Sequence, residues 1–276
     1  MALKDLLVVV GDDPTCATRL ELAAGLARTH DAHLTGLYVM IRPPMPSYSE
    51  MQFSREMRQM QDERLRTAAA EAEALFRARA GQVAGSDEWR AVEGDLFETA
   101  VLHLRHADLA VVGQGIDLGN VPAQFASLPE ELALGAGRPV LVVPRYGTFP
   151  TVGERVLVAW NGGREATRAV HDALPILERA KHVRILSVNP EGGPPERMPG
   201  TDMAQHLTRH AVTAEAAVTR ATDIDVGDIL LSYAADIGAD LIVMGAYGHS
   251  RLREMVMGGA TRQLLQQMTV PVLMSH

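Results

Sequence analysis

The sequence predicts an α/β protein of two tandem domains, each a parallel β-sheet with helices on both faces. Three observations predict it. Short apolar runs alternate with helix-period segments along the chain, the pattern of strands joined by crossover helices. The order of these segments occurs twice. The two occurrences also share residue-level wording, the mark of an internal repeat. VLVAWNGGREATRAV (156–170) lies over LVVVGDDPTCATRLE (7–21), and the Ala-Thr-Arg triplets at 17–19 and 166–168 set the offset. At that offset His33 falls on His182 and Val39 on Val188 without a gap. Later, ADLAVVG (107–113) lies over ADLIVMG (239–245), and Pro139-Val140-Leu141 falls on Pro271-Val272-Leu273. The middle segment is shorter in the second copy. The stretch RYGTFPTVG carries Gly and Pro and lacks periodicity, so it marks the boundary. The domains are 1–146 and 153–276.

The elements follow in order. Residues 6–10 form a first strand and 16–30 a helix with Leu20, Ala23, Ala24 and Ala27 on one face. Residues 33–39 form a second strand, and Pro43, Pro44 and Pro46 break the chain after it. A long helix spans 54–80; its charges are of both signs and read as a solvated face. A third strand covers 88–92. Asp95 caps a helix running to about residue 106, and strands at 109–112 and 140–143 complete the first copy. In the second, the long helix shrinks to about 202–210, and the last elements are strand 241–244, helix 262–268 and strand 270–274.

The chain has 276 residues, 47% hydrophobic and 22% charged, as in ordinary soluble globular proteins. No apolar run approaches the ~20 residues that span a bilayer. The apolar run at the N-terminus ends at Gly11-Asp12-Asp13 and reads as a strand, not a signal peptide. The single cysteine, Cys16, excludes an internal disulfide and fits a reducing, cytoplasmic setting. It reads as a small residue on the first helix. A net charge of −8 and an aromatic content of 4% argue against a nucleic-acid partner. A local loop of backbone N–H groups can still hold a small anion.

Such a loop lies at 245–261, GAYGHSRLREMVMGGAT. It follows an apolar strand and leads into a helix, where unpaired N–H groups and the helix dipole favour negative charge. The repeat tests it. Gly245 pairs with Gly113, but Gly248 pairs with Ile116, Gly258 with Ala126, Gly259 with Ser127 and Thr261 with Pro129. Glycines needed only for turning would be needed in both copies, so Gly248, Gly258 and Gly259 point to a ligand, and loop flexibility alone is the alternative. Gly245, shared by both copies, owes as much to the turn.

The strand followed by Gly245, Gly248, nine residues, then Gly258 with Gly259, Ala260 and Thr261 resembles the universal stress protein family, as does the wording ADLIVMGAYGHSRL…VPVL. The resemblance covers almost the whole chain as two copies. It implies five-stranded parallel sheets of order 3-2-1-4-5 and an ATP site in the second domain. Gly245 and Gly248 would approach the ribose and phosphates; Gly258, Gly259 and Thr261 would surround the β- and γ-phosphates. Trp160, Asn161 and Gly162 end the first strand beside the nucleotide, and Val188 faces adenine. His249 lies within reach of a phosphate, and Arg251 and Arg253 are weaker candidates for the same role. The family's usual Asp is here Asn161, a poorer metal ligand, which argues against tightly held Mg²⁺. Gly259 stands where the family carries Ser or Thr. The first domain keeps Gly113 and Gly115 without the spacing, so it does not bind ATP in the usual way and is either a structural partner or the holder of a different ligand.

Other constellations carry less. His206 and His210, spaced i,i+4, lack a third ligand or an acidic neighbour and read as a solvated helix face, as do His103 and His106. Met255, Val256 and Met257 read as anchors for the loop on apolar surface. There is no G-x-x-x-x-G-K-[ST] loop and no G-x-S-x-G elbow, so binding rather than catalysis is expected. A slow ATPase or nucleotidyl transferase, and an interaction module without nucleotide, are the alternatives. Strand five ends the sheet in each copy, and an apolar edge invites pairing. The two halves are therefore expected to cover each other as an internal pseudo-dimer, with a homodimer of chains left open.

Overall fold

In the computed structural model the described residues are 2–42, 55–80, 87–115, 123–190, 198–221, 223–248 and 259–276. The first copy contributes β1 (Asp5–Val10), α1 (Cys16–His30), β2 (His33–Met40), α2 (Arg55–Ala80), β3 (Asp87–Glu93), α3 (Leu96–Leu104), β4 (Leu109–Gly113), α4 (Ala123–Gly135) and β5 (Val140–Val143). The second contributes β6 (Arg155–Ala159), α5 (Arg164–Leu177), β7 (His182–Val188), α6 (Thr201–Thr208), β8 (Ala214–Thr219), α7 (Val226–Asp236), β9 (Leu241–Gly245), α8 (Ala260–Gln267) and β10 (Val272–Ser275).

All strands join one ten-stranded sheet of order β3-β2-β1-β4-β5-β10-β9-β6-β7-β8. Within each copy the order is 3-2-1-4-5 and every pairing is parallel. The copies meet edge to edge. β5 and β10 pair antiparallel, with Val142 opposite Val272, Leu141 opposite Leu273 and Val140 opposite Met274. The expected internal pseudo-dimer is thus a continuous sheet, and each apolar edge satisfies its backbone groups on the other. The outer edges are β3 and β8. β3 reads DEWRAVE, and its charges discourage further pairing.

The inner strands β1, β4, β5, β6, β9 and β10 are largely apolar because both faces are covered. Leu6, Val8, Val10, Val156 and Val158 face a core closed by α1, α2, α5 and α6. Leu7, Val9 and Leu157 face the opposite core, closed by α3, α4, α7 and α8. Each core runs through both copies, so neither half has an interior of its own.

Two details explain where the expected boundaries moved. Pro271 has no N–H to donate, so pairing of the last strand begins at Val272, while its carbonyl still accepts from Ile242 N–H at 2.9 Å. α3 stops at Leu104 because its last turn tightens, His106 N–H bonding His103 O at 3.3 Å. Its start is as expected, Asp95 Oδ1 accepting from Glu98 N–H at 3.0 Å. The repeated Ala-Asp-Leu triplet also has a role the sequence did not disclose. Asp108 accepts from the N–H groups of Lys4 and Asp5, and Asp240 accepts from Gly153, Glu154 and Arg155. In each half this carboxylate fixes the start of the first strand against the fourth.

Candidate functional site

In the C-terminal half the strand order reverses between β6 and β9, and a crevice at their carboxyl ends is the expected ligand position in such a sheet. Leaving β6, Trp160 N–H still bonds Leu186 O at 2.8 Å. Asn161 then folds the chain back, its Oδ1 accepting from Gly163 N–H at 2.8 Å. Gly162 takes φ +75°, a conformation that favours glycine. Gly163 caps α5 without any side-chain hydrogen bond, so the first N–H groups of α5 keep no side-chain partner.

β9 delivers the other wall. Gly245 packs so closely on α5 that a Cβ there would stand 2.5 Å from Ala166 N. Ala246 is buried, its N–H bonds Ser275 O at 2.8 Å, and its carbonyl lies 2.8 Å from His276 Nδ1. Tyr247 takes φ +57° and its N–H donates to Thr261 Oγ1 at 3.4 Å. Thr261 is buried in the first turn of α8, and Gly259, the cap of α8, supplies no side-chain hydrogen bond. Gly248 is exposed. A Cβ on it would lie 3.1 Å from Glu165 Oε2 and 3.5 Å from Asn161 Nδ2, both side-chain ends. Tyr247 and Gly248 therefore lie between two helix N-termini that have no side-chain caps.

The described contacts bring Gly248 to Asn161 and Glu165, Gly245 to the first turn of α5 and Tyr247 to Thr261, while Gly162 follows Asn161 and Gly259 opens α8. Trp160 is half-buried against the α5–α6 core, with its Cδ1 near Gly200. Val188, ending β7, packs on the opposite core. His249, Arg251, Arg253, Met255, Val256, Met257 and Gly258 lie outside the described residues.

Glu165 is the residue the sequence did not single out. It is nearly buried in the first turn of α5, where the dipole favours a carboxylate. Its Oε1 lies 3.2 Å from Arg164 Nη2. The signal was available, since the repeat sets Glu165 opposite Cys16, an exchange of a small thiol for an acid at the same helix position. Both lysines are remote. Lys4 precedes β1 and pairs with Asp31, and Lys181 precedes β7 and pairs with Glu154, both at the amino ends of the strands. Phosphate charge in this crevice would meet backbone N–H groups and the Asn161 amide, not lysine.

The matching place in the N-terminal half is chemically different. Asp13 accepts from Thr15 N–H at 3.1 Å and from the Thr15 hydroxyl. Arg19, 3% exposed, donates to Asp13 Oδ2 at 2.8 Å and to Val9 O at 2.9 Å. Burial raises the Asp13 pKa, but the Arg19 charge and these hydrogen bonds outweigh it and hold the carboxyl below its ordinary value. Gly113 leaves room for the buried Arg19 guanidinium, which a Cβ there would run into. The repeat partner of Arg19 is Arg168, which stays exposed and pairs with Asp172 at 2.8 Å. Gly162 stands where Asp13 would be its partner.

Among the described residues no group of three or more His, Cys, Asp or Glu is arranged to hold a metal ion. His206 and His210 do not lie on a purely solvated face. The His206 ring is 5.2 Å from that of His171 and 4.8 Å from that of His210, and burial, then electrostatic interaction with His171, His210 and Arg209, lowers its pKa. His103 Nδ1 lies 3.0 Å from Arg90 Nη1 on the edge strand β3. Among the described residues no helix is long and apolar enough to cross a membrane.

Comparison with known proteins accounts for both halves. The profile of the universal stress protein family matches residues 2–144 and again 153–276. A curated relative, universal stress protein Slr1230 of Synechocystis sp., is 28% identical over 186 residues, which are 66% of this chain and 58% of that protein. The chain thus spans a little over half the length of that relative. Among solved structures, a universal stress protein from Archaeoglobus fulgidus DSM 4304 superposes with a TM-score of 0.75 at 15% identity, covering 98% of this chain and 96% of that one. A putative universal stress protein from Pseudomonas aeruginosa UCBPP-PA14 gives 0.56 at 16% identity, covering 99% and 93%.

Proposed function

The chain belongs to the universal stress protein family in tandem form, and from that premise we propose that its C-terminal half binds an adenine nucleotide, ATP foremost, and relays occupancy through changes of conformation or partner. In this reading, residues 153–276 are the nucleotide domain, and residues 1–146, with their degenerate loop, do not bind ATP in the usual way.

One observation carries the reading. Gly248 is a glycine that the described residues do not require: its φ lies outside the left-handed region, and among them a Cβ would meet only two movable side-chain ends. It sits between the N-termini of α5 and α8, where a side chain would intrude on an anion. Gly245 is explained by packing on α5; Gly248 is left to a ligand. Asn161 Nδ2 and the N–H groups opening α5 and α8 supply neutral donors for phosphates. Trp160, Gly162 and Val188 close the nucleoside end, and His249, Gly258, Gly259 and Thr261 the phosphate end. Glu165 supplies the one carboxylate described there. With Asn161 in place of an acid, Mg²⁺ would be held mainly by the phosphates.

The reading is of binding, since phosphoryl transfer needs concentrated positive charge and a positioned nucleophile. Isothermal titration of the full chain, freed of carried-over nucleotide, tests it. Saturable heat with ATP at one site per chain is expected, with at least tenfold weakening in both Gly248→Val and Gly258→Val. No heat with ATP, ADP or AMP contradicts it. ADP formation that scales with protein and disappears in both variants would make the protein a slow ATPase instead.

A further inference from the structure

The N-terminal half holds a cavity of about 520 Å³ at the carboxyl ends of β1, β2 and β4, a volume within the range of small-molecule sites. Pseudo-symmetry makes it the counterpart of the nucleotide crevice, but its chemistry is different. The anion position at the start of α1 is already filled. The Asp13 carboxylate takes the Thr15 N–H and hydroxyl, and the Arg19 guanidinium neutralises it. Asp12 adds a second carboxylate at the wall, held by the Tyr38 hydroxyl at 3.2 Å. A polyphosphate entering here would face two carboxylates and a helix terminus already satisfied.

The remaining walls favour another ligand. Val39, Ile41, Leu65, Ala68, Phe125 and Leu128 line the cavity and make most of it apolar. Two further arginines reach it, Arg64 from α2 and Arg145 just after β5. Neither forms an ion pair with a carboxylate among the described residues, unlike Arg42, Arg77 and Arg79, each of which has at least one. Arg145 instead lies over the Tyr146 ring at 5.4 Å, and its backbone N–H is fixed by Gln114 Oε1 at 2.9 Å. Among the described residues, three arginines against two aspartates leave the lining one positive charge, which a single anionic group balances.

We propose that this cavity binds a small organic acid with one carboxylate and an apolar body, the carboxylate on Arg145 and Arg64 and the body against the apolar wall. The two halves of the chain then carry different ligands, a nucleotide in one and an apolar monoanion in the other. The proposal does not rest on nucleotide binding by the C-terminal half.

Decanoate is a suitable probe, titrated calorimetrically into the full chain, with decylammonium and ATP as comparators. The expected result is one saturable decanoate site per chain and at least tenfold weaker binding of decylammonium. Arg145→Gln, a change at the rim that leaves the core intact, should weaken decanoate roughly tenfold. Ala68→Trp, which fills the cavity, should abolish binding; a melting curve checks that it folds, and Arg145→Gln decides the matter if it does not. Gly248→Val should leave decanoate binding unchanged. Absence of saturable binding, binding unaffected by Arg145→Gln, equal binding of decylammonium, or loss of decanoate binding in Gly248→Val would each overturn the proposal.

Discussion

Three glycines of the C-terminal half look alike in the sequence and are required for three reasons. Gly162 takes φ +75° with open space around it among the described residues, so its backbone conformation is what asks for glycine there. Gly245 is required by packing, because a Cβ would stand 2.5 Å from backbone atoms of α5. Gly248 is required by neither. Urea denaturation should therefore show Gly248→Ala within about 0.5 kcal/mol of the parent, while Gly245→Ala loses about 2 kcal/mol through overpacking. Equal losses would mean that Gly248 also serves the fold. The sequence repeat had already separated Gly245 from Gly248, since only the former recurs in the first copy. It did not show Glu165 in the crevice or Thr261 buried with its hydroxyl on Tyr247. Burial and side-chain direction depend on how α5 and α8 lean on the sheet, and no local pattern encodes that.

At the scale of elements, α1 and α5 start from one Ala-Thr-Arg template and end with opposite electrostatics. In α1 the arginine is buried and paired with Asp13; in α5 it is outside. Asp13→Ala would leave the Arg19 charge buried without its partner and should cost about 3 kcal/mol in chemical denaturation. Because the folded pKa of Asp13 lies below its ordinary value, the stabilisation of this pair is present above about pH 4 and is lost as pH falls through the folded pKa. Acid denaturation below pH 4 should accordingly be steeper in the parent than in Asp13→Asn. The helices and strands given from periodicity were legible to within about two residues, whereas α4, β8 and α7 were not assigned from the sequence. The Asp13–Arg19 pair was not, although both residues were visible. It spans a turn whose geometry the repeat partner, with Gly162, does not share.

At the scale of the molecule, the two copies act as one body. β5 and β10 splice the sheets, and Gln114 Nε2 of the first copy donates to Leu265 O at 2.7 Å and Gln266 O at 3.1 Å, closing the end of α8. The splice was legible as two apolar edge strands needing cover; its antiparallel register was not, because it depends on the relative placement of the halves. A groove between the copies, lined by α1, the 149–154 linker and the end of α5, holds His30. Burial, then the charges of Arg179 and Lys4, lowers its pKa to about 4. The unfolded chain takes up the proton near pH 6.5 and the folded one only near 4. Stability should thus decline as pH falls from 6.5 to 4, by up to about 3 kcal/mol, and level off below. Thermal melting of His30→Gln across that range should lack this component. An undiminished decline in the variant would assign the titration to another group.

The central claim is that an adenine nucleotide lies between the N-termini of α5 and α8, at Gly248. A native mass spectrum of the freshly purified full chain tests it most directly. The account predicts a species heavier by one adenine nucleotide per chain, present on isolation or after addition of millimolar ATP, and absent from Gly248→Val at the same charge-state distribution. A spectrum showing only the bare chain mass under both conditions would contradict it.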